Sequence, residues 1–173
     1  MKVIIVVLAV ISLMVSAGEF CGGNCPSGMC NDCYCGATQQ LVDPVEWCDK
    51  YRGWSQAACL CIVSKSSRGN ANAIDTMGIQ HKAGLMRIPD AAWDTCNSGE
   101  APCAPEDNLG CAEMIFEQDS SFVAFDNCEE CGVCSSQMNT YLMGQEQLLR
   151  DWGFNLDRTL LSLLLTFVKA FEE

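Results

Sequence analysis

Histidine is almost missing from this chain, basic residues are few, and no cysteine follows Cys134. Ten lysines and arginines face 22 aspartates and glutamates, for a formal charge of −12 over 173 residues. That shortage of cationic surface excludes nucleic acids and anionic membranes as partners, because both are held by basic groups. The lone His81 weighs against a histidine-containing metal site. Long apolar runs are lacking too: the longest, near the N-terminus, is short for a bilayer span.

Against these absences stand 14 cysteines, enough to make a secreted disulfide scaffold the default expectation. A hydrophobic fraction of 49 % excludes general disorder. The length allows one domain with a modest core and appendages. Lys2, the apolar stretch from Val3 and the small residues Val15-Ser16-Ala17 have the layout of a secretory signal peptide over residues 1–17. Its removal takes away one positive charge and leaves 156 residues at −13 with every cysteine retained.

Cysteine spacing divides the rest. Residues 18–41 form an N-terminal module with Cys21, Cys25, Cys30, Cys33 and Cys35 among glycine, proline, asparagine and serine. So little apolar bulk lies there that cross-links must order it. Residues 42–134 form the body, carrying Cys48, Cys59, Cys61, Cys96, Cys103 and Cys111 and closing on Cys128, Cys131 and Cys134. Residues 135–173 are a cysteine-free helical appendage. The CxxC spacings at Cys30/Cys33 and Cys128/Cys131/Cys134 also suit zinc. A secretory leader, an even count and a single histidine favour seven disulfides instead, with no metal and no cofactor. Their connectivity stays open, except that Cys59 and Cys61 face different sides of a helix and need different partners.

The body reads as mainly α, in the α+β class. Asp43-Pro44 opens a helix through Tyr51. Ser55 caps a second from Gln56 to about Ser67, buried through Ala57, Leu60, Ile62 and Val63. A small loop or hairpin falls between Asn72 and Ile88, and Asp107 or Asn108 opens a further helix.

Four strings in order carry a resemblance: VEWCDKYRGWSQAACLCIVSKSSRGNANAI, KAGLMRIPDAAW, CNSGEAPCAPEDNLGCA and CGVC. They resemble the lysozyme-like superfamily, and within it the cysteine-rich secreted lysozyme-like proteins of protists. The group's pattern reads approximately CIVSHESGGNANA, YDVGLWQIN and PCDPxxNLxCA. The resemblance runs from about Cys21 to Cys134 and implies a lysozyme-like fold. It also implies a glycosidase, whose glutamate in HESGGNANA would protonate the leaving oxygen.

At that glutamate's position this chain has Ser66. A serine hydroxyl is too weak an acid for the task, and loss of a general acid forfeits roughly 10²–10⁴-fold in rate. The family's aspartate before VGL falls on Lys82, where a cation opposes positive charge developing on the sugar. Arg87 stands for glutamine, Pro89 for asparagine, and the paired glycines of ESGGN become Arg68-Gly69. Gly84, Leu85, Ile88, Trp93, Leu109 and Ala112 remain as packing positions. Fold residues retained with chemical residues changed read as a pseudoenzyme. Of the nearby carboxylates Glu46, Asp75, Asp90, Glu100 and Glu106, Asp75 is the best substitute acid. Strong acidity also disfavours attack on anionic bacterial walls. Asn70, Asn72, Arg87 and Trp93 are the candidate glycan-binding residues.

In the appendage, Thr159, Ser162, Thr166, Lys169 and Glu173 form one polar stripe on a helix otherwise made of leucine, phenylalanine and valine. About 15 residues reach only roughly 22 Å, short of a bilayer. Leu160, Leu161, Leu164, Phe167, Val168 and Phe171 are the candidate interface, either against the chain's own domain or against another protein chain or a second copy.

Overall fold

A computed structural model describes residues 20–25, 30–76 and 79–172. The signal-peptide segment, and the side chains of Val168 and Phe171, lie outside the described residues. Among those described are seven α-helices and a small sheet. Helix α1 spans Pro44–Cys48, α2 Gln56–Ser66, α3 Asp90–Cys96, α4 Pro105–Asp119, α5 Cys128–Cys131, α6 Ser136–Asp151 and α7 Arg158–Glu172. Strands β1 Ile74–Asp75, β2 Lys82–Ala83 and β3 Ile88–Pro89 make an antiparallel sheet in that order. Ile74 pairs with Ala83, and Ala83 with Ile88.

The two N-caps read from sequence are present: Asp43 accepts from the Val45 amide and Ser55 from the Ala58 amide. Helix α1 stops at Cys48, three residues before the expected end. The Cys48 carbonyl accepts the Trp54 indole N–H at 3.1 Å instead of continuing the helix. Helix α4 starts at Pro105 and not at Asp107 or Asn108, because Pro105 takes the first helical position, where its missing N–H costs nothing. Asn108 is instead a buried tie, accepting from the Met86 amide and donating to the Ala83 and Pro102 carbonyls. Gly84, at φ +81°, lies so close to this amide that any Cβ would collide with it.

All fourteen cysteines are oxidised. The pairs are Cys21–Cys33, Cys25–Cys30, Cys35–Cys103, Cys48–Cys59, Cys61–Cys131, Cys96–Cys111 and Cys128–Cys134. Cys30 and Cys33 bond to Cys25 and Cys21, and in the second string Cys128 bonds to Cys134 while Cys131 takes Cys61, so no two cysteines at CxxC spacing are bonded to each other. Cys59 and Cys61 do take different partners. Cys35–Cys103 ties the N-terminal module to the body, and Cys61–Cys131 ties α2 to the closing cluster.

Helix α2 is the centre of the molecule, with Ala57, Ala58, Cys59, Ile62 and Val63 fully enclosed. An aromatic cluster packs nearby: Trp54 stands edge-on to Phe116 at 5.7 Å, and Phe116 lies 4.9 Å from Phe122. The cysteine-free segment packs on the same helix. On α6, Asn139 accepts from the Ser55 amide and Glu146 accepts from Ser55 Oγ and from the Gln56 and Ala57 amides. Helix α7 lies against α2 through Leu161 and Leu165.

Candidate functional site

Ser66 is the last residue of α2 and is buried; its Oγ accepts a hydrogen bond from Asn127 Nδ2 at 3.1 Å. The chain then turns through Ser67, whose hydroxyl donates to the Val63 carbonyl, and Arg68, which is exposed in the left-handed region at φ 57°. The turn leads to the sheet, where Asp75 on β1 meets Arg87 just before β3 in a short ion pair. Arg87 also has a left-handed backbone, φ 52°, and its buried Nε has no acceptor among the described residues. Lys82 on β2 faces away to Asp126 at 2.6 Å. Lys65 reaches Glu130 at 2.9 Å.

A cleft of about 460 Å³ opens beside this turn. Lys65, Ser66, Ser67, Arg68, Asn70 and Arg87 line it, and its described lining includes no carboxyl side chain. Two of the positions that the resemblance singles out, Ser66 and Arg87, therefore do come together. Lys82 does not line the cleft, because its salt bridge holds it elsewhere. Asp75 lies next to the cleft, fastened to Arg87, while Glu46, Asp90, Glu100 and Glu106 do not line it.

Three of the four glycan-binding candidates are committed to the fold. Asn70 is buried: its Oδ1 accepts from the Gln40 and Asn72 amides, and its Nδ2 donates to Asn24 Oδ1. Asn72 Nδ2 donates to the Thr38 carbonyl at 2.6 Å. Together they sew the N-terminal module to the turn after α2. Trp93 is also buried, its indole donating to the Ile88 carbonyl at 3.0 Å while its ring meets the edge of Tyr34. It is a packing residue and offers no platform to a sugar. Burial, with Asp32 and Asp90 nearby, raises the Tyr34 phenol above its ordinary value, so it stays a neutral hydroxyl beside His81 Nδ1 at 3.0 Å. Of the four, Asn70 and Arg87 line the cleft, and Asn70 is tied up by its bonds to Gln40, Asn72 and Asn24, which leaves Arg87 as the candidate still able to meet a ligand there.

Comparison of the chain with models of known families, with characterised proteins and with solved structures finds no match. The sequence reading missed Asp126, Asn127 and Glu130, the partners that fix Lys82, Ser66 and Lys65. Asp126 and Asn127 lie just before α5 and Glu130 within it, and an acidic stretch beside cysteines carries no signal of where in the fold it points.

The interface candidates on α7 separate by burial. Leu161 is fully enclosed within the chain, Leu160 and Leu164 are half-buried, and Phe167 is 66 % exposed. Leu161 is therefore core and not a docking residue, because α2 already covers it. Leu163, Trp152 (74 % exposed) and Phe154 remain open. No described helix is long and apolar enough to cross a membrane. That fact and seven disulfides are compatible with a secreted protein.

Proposed function

We propose that this chain is a secreted, lysozyme-fold protein without glycosidase activity, serving as a non-enzymatic structural or interaction subunit of an extracellular assembly. One observation carries the first half: where the resembling family places its catalytic glutamate, the cleft presents Ser66 among cations. The retained packing positions Gly84, Leu85, Ile88, Trp93, Leu109 and Ala112 are all buried, which supports the lysozyme-like reading of the body. Asp75, the nearest substitute acid, would have to leave Arg87 before it could donate a proton to a leaving oxygen. The signal-like leader and the seven disulfides support secretion. Turnover assays on peptidoglycan and chitin oligomers are expected to release no product.

The second half rests on the aromatic surface left after α7 has docked. Trp152, Phe154 and Phe167 are large apolar side chains in water, the type enriched at protein–protein contacts. Light scattering of the folded chain is expected to show concentration-dependent association, weakened by roughly tenfold or more in a Trp152→Ser/Phe167→Ser variant. Cutting the chain before α7 would not test this, since it also strips Leu161 from the core. A monomer at every concentration, identical in the two proteins, contradicts the association.

A further inference from the structure

We propose that the cleft binds an acidic saccharide, seating one carboxylate or sulfate group between Arg68 and Arg87. The proposal deepens the non-enzymatic reading of this site by naming its ligand class, and it rests on that reading.

The distribution of charge is the first observation. Only ten lysines and arginines occur in the whole sequence, and Lys65, Arg68 and Arg87 line this one cleft. Glu130 balances Lys65 and Asp75 balances Arg87 from outside the lining. Arg68 makes no ion pair among the described residues, so the cleft keeps a net positive charge in a strongly acidic protein.

Backbone strain is the second, and it is independent of charge. Six non-glycine residues among those described have positive φ: Cys21, Arg68, Arg87, Ser98, Ser120 and Asn127. The two charged members of that set are the two arginines of the cleft. A left-handed backbone is unfavourable for a long side chain bearing a Cβ, and asparagine tolerates it far better than arginine does. Residues held in such conformations cluster at binding and switch sites. Here the turn after α2 and the turn before β3 each bring an arginine to the same cavity.

The donors match a planar oxyanion. Asp75 engages Nη2 of Arg87 and the Arg87 Nε is buried, so the exposed Arg68 presents the fuller set of N–H donors to the cleft. A guanidinium presents five N–H groups in a fixed fork, which suits paired oxygens of a carboxylate or sulfate. Ser66 accepts from Asn127, so its own O–H remains to donate. Ser67 and Gln39 place further neutral polar groups in the lining. Cations beside hydroxyl and amide groups suit a polyhydroxylated acid better than a bare ion. About 460 Å³ is within the range of small-ligand sites, roughly 300–1,000 Å³. An extended polyanion such as nucleic acid would meet repulsion from the rest of the surface at −12, whereas a short oligosaccharide engages the cleft alone.

Calorimetric titration of the folded, oxidised protein tests this with an oligogalacturonate trimer and a sulfated heparin-type tetrasaccharide. Chitotetraose and inorganic sulfate serve as comparisons, at low and at physiological salt. At least one acidic saccharide is expected to bind, more weakly as salt rises. Arg68→Gly suits the left-handed backbone, so its melting temperature should be unchanged or higher while affinity falls roughly tenfold or more, the loss of a charge-assisted hydrogen bond. Arg87→Gln should weaken binding to a similar extent. Absence of binding by both acidic saccharides overturns the proposal, as does full affinity in Arg68→Gly. Chitotetraose binding as tightly overturns the acidic assignment, and inorganic sulfate binding as tightly overturns the saccharide. Analysis of the recovered saccharide keeps the two readings apart. Cleaved product would sink the non-enzymatic reading while binding stood; no binding would sink only the ligand assignment.

Discussion

Replacing Glu146 by alanine is expected to lower folding stability by about 3–5 kcal/mol, read as a shift of the urea midpoint at unchanged slope. Helix α2 starts with Gln56-Ala57-Ala58 and has no acidic residue in its first turn. Its N-terminal amides therefore need acceptors from elsewhere, and the helix dipole favours a negative one. Glu146 supplies both needs from α6. It is only 1 % exposed, Oε1 accepts from Ser55 Oγ at 2.7 Å and the Ala57 amide at 2.8 Å, and Oε2 from the Gln56 amide at 3.0 Å. Hydrogen bonds to a charged group contribute about 1.5–3 kcal/mol each, and the freed donors would recover part of that from water entering the gap. A loss below about 1 kcal/mol would mean that α6 is not what caps α2.

The second large effect concerns the cross-link between α2 and the closing cluster. Cys61→Ala with Cys131→Ala opens a bridge with a sequence separation of 70 and is expected to cost roughly 4 kcal/mol through chain entropy. Cys128→Ala with Cys134→Ala opens one with a separation of 6, for about 2 kcal/mol. Against the 5–15 kcal/mol of an ordinary domain, the first loss is severe. Denaturation of the two variants side by side checks the difference. Equal losses would contradict an unfolded-state origin for the stabilisation.

Local chemistry was legible in the sequence. Asp43-Pro44 and Ser55 announced two helix starts, the apolar run of Ala57, Leu60, Ile62 and Val63 announced a buried helix, and the leucine-rich tail announced an amphipathic one. Each depends on neighbours within a few residues. What could not be read depends on distant partners. Nothing in the spacing of Cys35 points to Cys103, and nothing around Glu146 points to Ser55. Asn70 and Asn72 illustrate the same limit: as side chains they suit a sugar equally well, but groups of the N-terminal module, 30 or more positions away, take up most of their hydrogen bonds. The α7 helix was half legible. Its apolar face is wider than α2 covers, so Leu161 is enclosed while Leu163 and Phe167 stay in water.

At the cleft, the string SKSSRGNANA located the turn, and the tertiary fold added its meaning. Arg87 comes from the far side of the sheet to stand with Arg68 and Ser66. The cation that replaces an aspartate at Lys82 has a different outcome from the one that replaces a glutamine at Arg87, since Asp126 draws Lys82 away and Arg87 stays.

The central claim is that this cleft carries out no glycoside hydrolysis. The most direct measurement is product release from peptidoglycan and from chitin oligomers by the wild type, Ser66→Glu and Asp75→Asn proteins in parallel. The wild type and Asp75→Asn are expected to match a protein-free blank. Steady turnover by the wild type, abolished in Asp75→Asn, would show that a carboxylate has taken over the acid's role and would contradict the account.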